Sequence, residues 1–158
     1  MNAVHISEMV ENHLHQTLES NEFDPFHLTH ALVYGVSFGD NGEIGIENIA
    51  KNGNVYELLD DGESAIVASG YTYTMLVTCG WASPLPADEI DSEASVPPSK
   101  HPERRRVRIA VVANRESVAS VLRFQDDKEN TMLDEGGASG SLADAFREFV
   151  SFGVAKTN

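Results

Sequence analysis

The chain has 158 residues, 41% of them hydrophobic, and carries 25 acidic against 11 basic side chains, a formal charge of −14. That length suits one domain spanning 1–158 with a core of its own. The charge argues against nucleic acid and anionic membranes as partners, because both are polyanions. The single cysteine cannot form an internal disulfide. No stretch is apolar for long enough to span a membrane, and the first residues lack a basic segment followed by an apolar run, so the expected location is cytoplasmic.

Taken in chain order, Ile6, Met9, Val10, Leu14 and Leu18 recur near helical spacing and predict an amphipathic helix over residues 4–19, with Ser7 as its cap. Asp24-Pro25 reads as a cap followed by proline in the first turn, predicting a short second helix from Pro25 to about Val33. Alternating runs on either side of Asn41-Gly42 predict a first hairpin, with Val36, Phe38, Ile44 and Ile46 facing one core. Residues 55–59 suit a short helix that Asp60-Asp61-Gly62 ends.

Residues 65–68 and 71–81 are read as the arms of a second hairpin across Ser69-Gly70. On the longer arm, Tyr71, Tyr73, Met75, Val77, Cys79 and Trp81 alternate with smaller, mostly hydroxylated residues, so one face belongs to the core and the other is thinner and wetter. Residues 83–103 hold five of the six prolines together with Asp88, Glu89, Asp91 and Glu93, and read as a long mobile loop. Residues 106–112 and 117–124 form a third hairpin. Residues 125–140 are acidic and then glycine-rich, and Ser141 starts a helix whose apolar stripe is Leu142, Ala145, Phe146, Phe149 and Val150, with Gly153 as its stop. The fold class is therefore α+β: a mainly antiparallel sheet of five or six strands from three hairpins, with the N- and C-terminal amphipathic helices packed on one face.

No catalytic signature is present, and neither enzyme activity nor a cofactor is legible. His13 and His15 are two apart on a helix and point in different directions. His27 and His30, three apart on the expected second helix with Asp24 one turn earlier, have the spacing of metal ligands. Cys79 shares a face with Val77 and Trp81, as a small buried hydrophobe would. The glycine-rich run 135–141 matches no phosphate-binding motif. Lys100, Arg104, Arg105, Arg106 and Arg108 concentrate five of the eleven basic residues. They suit an anion site, a clamp on the acidic 88–93 loop, or an exposed sheet edge guarded by charge.

Three functions follow as expectations. The first is a non-enzymatic protein- or ligand-binding module using the 83–108 region, with Trp81, Arg104, Arg105, Arg106 and Arg108 as its binding residues. The second is a small metal-binding protein or enzyme using His27, His30 and Asp24. The third is an acidic inhibitor of a basic partner.

Overall fold

A computed structural model describes residues 3–19, 25–82, 105–114, 116–134 and 141–157. In chain order they form α1 (Ala3–Glu19), β1 (Ala31–Phe38), β2 (Ile44–Asn52), α2 (Val55–Leu59), α3 (Gly62–Ala68), β3 (Tyr73–Ala82), β4 (Arg105–Ala113), β5 (Val118–Phe124), β6 (Asp127–Asp134) and α4 (Ser141–Thr157). The six strands make one antiparallel sheet in the order β2-β1-β3-β4-β5-β6, an α+β fold.

The two terminal helices lie on opposite faces of the sheet, not on one. On one face, Ala3, Ile6, Val10, Leu14 and Leu18 of α1 meet Val36, Tyr73, Met75, Val77, Ala110, Val112 and Ala119. On the other, Leu58, Ala65 and Ala68 join Phe146, Phe149 and Val150 of α4 over Val33, Leu76, Val111 and Val118. The 71–81 strand therefore has two covered faces. Leu76 breaks its alternation because Leu76 is the contact with the second helical layer, and Thr74 beside it is 3% exposed. Strands buried on both sides favour continuous apolar runs, which Val107 to Ala113 follow apart from Arg108.

Local chemistry explains where the elements depart from the sequence pattern. Residues 65–68 are helical because Asp61 caps α3, accepting from the Glu63 and Ser64 amides at 3.1 and 3.5 Å, while Ala65 and Ala68, three apart, are the residues that turn inward. The missing strand is supplied by β6, which pairs Phe124 with Asp127 across a Gln125-Asp126 turn and closes the sheet with a highly charged edge. Ser7 lies inside α1 and returns its hydroxyl to the Val4 carbonyl at 3.2 Å, while the Ala3 amide is held by Ser117 Oγ at 2.7 Å. The helix α4 continues through Gly153, an interior position that costs about 1 kcal/mol relative to alanine.

The first hairpin closes by a turn from Gly39 to Gly42, with the Gly42 amide on the Gly39 carbonyl and Gly42 at φ +84°. It is thus a three-residue loop ending on a left-handed glycine, one residue longer than an Asn-Gly turn. A bulge at Val33/Tyr34 leaves Ile49 as the extra residue on β2, and Asn48 donates to the Val33 and Ala50 carbonyls at 3.2 and 3.0 Å. The bulge lets β2 serve both cores: Ile44 and Ile46 pack towards α1, and Ile49 towards α2–α4.

Gly35 has no room for a side chain. A Cβ there would lie 2.4 Å from the Tyr71 ring, which is held in place by a 2.5 Å hydrogen bond from its hydroxyl to Glu47; that bond also raises the phenol pKa. Gly35→Ala is expected to lower the unfolding free energy by about 1–3 kcal/mol through overpacking. In a Tyr71→Ala background the cost should largely vanish. Urea denaturation of the four proteins checks this, and equal costs in both backgrounds would exonerate the ring.

Candidate functional site

The C-terminal half of α1 covers a layer of charge. Register pairs Arg108 of β4 with Arg123 of β5, so two guanidiniums stand side by side under the helix. From above, Glu11 and His15 project from successive turns, and Glu11, Arg108 and Arg123 are each at most 3% exposed. Arg123 grips Glu11 as a fork: Nε lies 3.0 and 3.1 Å from the two carboxylate oxygens and Nη2 lies 2.8 Å from Oε1. It also donates to Asn12 of α1 and to the Lys128 carbonyl of β6. Arg108 donates to the Pro25 carbonyl at 3.2 Å and reaches His15 Nδ1 at 2.8 Å, with Glu11 Oε2 at 3.9 Å and the Phe26 ring centroid 4.9 Å away.

This geometry fixes the state of His15. A guanidinium can only donate, so Nδ1 accepts; the ring proton then sits on Nε2, 3.1 Å from Glu19 Oε1. Burial holds the imidazole pKa below its ordinary value, reinforced by Arg123 and Arg108 and opposed by Glu19 and Glu11. The layer fastens α1, the 25–26 turn and β6 to β4 and β5.

Of the arginines singled out by sequence, Arg106 and Arg108 are drawn into this fastening. Strand β4 is fourth in the sheet and covered on both sides, so it is not an exposed edge. Arg106 donates to the Phe26 carbonyl at 2.7 Å and lies 5.0 Å from the Trp81 ring centroid. Arg105, on the opposite face, makes a forked pair with Asp126 and stacks on Phe124. Arg104 and the 83–103 loop lie outside the described residues, as does the 135–140 run.

The helix expected from Pro25 to Val33 does not form. Residues 25–30 are turns and bends, and β1 has begun by Ala31. The Pro25 and Phe26 carbonyls accept from Arg108 and Arg106 instead of from amides four residues on, and Phe26 is wholly buried. His27 and His30 therefore do not share a helical face. Both line a shallow depression of 380 Å³ with Leu28, Leu32 and Lys51, and His30 Nδ1 meets Thr29 Oγ1 at 3.0 Å. Asp24 lies outside the described residues, among which no group of three or more His, Cys, Asp or Glu side chains is arranged to hold a metal. Cys79 is half-buried with Sγ 3.8 Å from the Pro25 carbonyl.

A different surface stands out on the far side of the sheet. Between α2, α3 and α4 runs a groove of 330 Å³ with Leu59, Ala65 and Phe149 in its floor, Tyr56 and Phe152 in its walls, and Asp60, Asp61 and Glu148 on its rim. Tyr56 and Phe152 are 49% and 43% exposed. Gly62 makes the groove possible: a Cβ there would meet the Phe152 ring at 2.9 Å. The sequence pattern hid this surface by presenting residues 65–68, whose Ala65 lines it, as a strand.

Two outcomes test the layer beneath α1. Glu11→Ala leaves two buried guanidiniums without their carboxylate and is expected to cost about 3–5 kcal/mol in urea denaturation, whereas Asp126→Ala, which breaks the exposed Arg105 pair, should hardly move the midpoint. Because the folded pKa of His15 is lowered, the unfolded chain binds the proton first as pH falls through about 6.5, and stability declines until the folded value is passed. Midpoints measured from neutral to mildly acidic pH should fall less steeply in His15→Gln; an unchanged slope would contradict this account. Comparison of the chain with protein-family models, curated proteins and solved structures finds no match.

Proposed function

We propose that this chain is a non-enzymatic protein-binding module whose docking surface is the groove between α2, α3 and α4. The observation that carries this reading is the distribution of exposed apolar side chains. Among the described residues the large ones are Met9, Tyr56, Ile66, Val67, Met132 and Phe152, and the two aromatic ones, Tyr56 and Phe152, both line this groove. Exposed apolar groups gathered around one concavity and rimmed by polar ones are the ordinary signature of a docking site. The 83–108 region yields to the groove as the leading surface because Arg108 is buried and Arg106 is engaged with the Phe26 carbonyl.

The metal-binding alternative keeps one supporting observation, that His27 and His30 line the same depression. Lys51 beside them is an unfavourable neighbour for a cation.

A photo-crosslinking benzoylphenylalanine introduced at position 56 of the full chain, in living cells, tests the docking reading. Discrete adducts should form there, disappear when Phe152→Asp is added, and be absent when the same group replaces Met9 on α1. Equal yield from both positions, or none from position 56, would remove the groove from consideration.

A further inference from the structure

Resting on that reading of the groove, we infer that its occupant is a cationic amphipathic helix of a partner protein. The rim supplies the first argument. Asp60, Asp61 and Glu148 are all exposed, and no lysine or arginine is among the described residues that line the groove. Glu57 and Glu63 extend the negative surface along α2 and α3. An apolar floor between carboxylates suits a segment with apolar anchors flanked by lysine or arginine, and the field of a −14 chain steers such a segment inward.

Backbone chemistry supplies the second. The groove lies among side chains of three helices and offers no open strand edge, so an extended peptide would gain no ladder of hydrogen bonds. A helix brings its own bonds satisfied and inserts side chains at i, i+3 or i+4, and i+7. A volume of 330 Å³ has room for a few such anchors. A second copy of this chain is disfavoured because it brings another −14 to the same acidic rim.

The test is a titration of the isotopically labelled full chain, followed by amide chemical shifts, with a synthetic leucine–lysine helix of about 18 residues, long enough to hold helical structure. A twin peptide with every lysine replaced by glutamate serves as the control. The basic peptide should bind saturably and perturb amides around Tyr56, Asp60, Glu148 and Phe152, and the acidic twin should not bind. In Asp60→Asn/Glu148→Gln, which spares the Asp61 cap, affinity should fall about tenfold, the summed effect of two exposed charge contacts. Equal binding of the twin, absence of saturable binding, or shifts spread over the Asp126–Glu129 region and indifferent to the double variant would each overturn the inference. Position-56 crosslinks separate this failure from failure of the docking reading. Adducts to acidic or uncharged partners would overturn only the cationic helix, adducts at twice the chain's own mass would identify a second copy, and no adducts would overturn both.

Discussion

The Glu11 carboxylate, shared between the Arg123 fork and the more distant Arg108, is the constraint on which the arrangement depends. Two guanidiniums facing the same way from adjacent strands, both out of water, are costly to keep charged unless an anion and carbonyls surround them. The molecule supplies these from three separate places: α1, the turn at Pro25, and the backbone at Lys128. Each of those segments is thereby tied to β4 and β5. A buried ion pair is weak evidence for net stability, since apolar residues of similar volume hold helices to sheets as well. What it adds here is position. Glu11 sits opposite the guanidiniums at only one translation and rotation of α1, so the charge layer sets the register that the apolar stripe alone leaves looser.

Closing one face in this way determines where the rest of the chemistry lies. The α1 face is committed to internal contacts through the stripe of Ile6, Val10 and Leu14 and, beside it, Glu11 and His15 of the charge layer. The opposite face is covered by α4 and two short helices, α2 and α3. There the short α2 and α3 are capped by Asn54 and Asp61, and Phe152 crosses over Gly62. Two single-turn or two-turn helices meeting a third leave a concavity between them, and that concavity is where the exposed aromatics lie.

Much of the fold is legible in the sequence because it is written in period. The apolar stripes of α1 and α4, the Gly42 turn and the alternation around Val107–Val111 each report a local preference that the tertiary structure leaves intact. The failures have physical causes. Ala65 to Ala68 is a short apolar run that suits strand or helix equally, and the deciding feature is the Asp61 cap just before it. Strand β6 carries so many charges that its composition resembles a loop, and only its pairing with β5 makes it a strand. The turn at Pro25–His30 has the cap-and-proline start of a helix, but side chains some eighty residues away take its carbonyls. The charge layer was partly legible: Ala119, Val121 and Arg123 share a face, and an arginine in line with core residues on an inner strand needs a buried carboxylate. Finding that carboxylate in Glu11, 112 residues away, requires the topology.

The central claim is that the buried charge layer, and not the apolar stripe alone, holds α1 to the sheet. Native-state amide hydrogen exchange on Arg123→Met tests it most directly, because the substitution keeps an unbranched apolar stem and removes the fork. The account predicts that amides of α1 from about Val10 to Leu18 lose protection through a local opening, while those of β3 and α4 keep theirs. Unchanged protection along α1, or a uniform loss across the whole sheet, would contradict it.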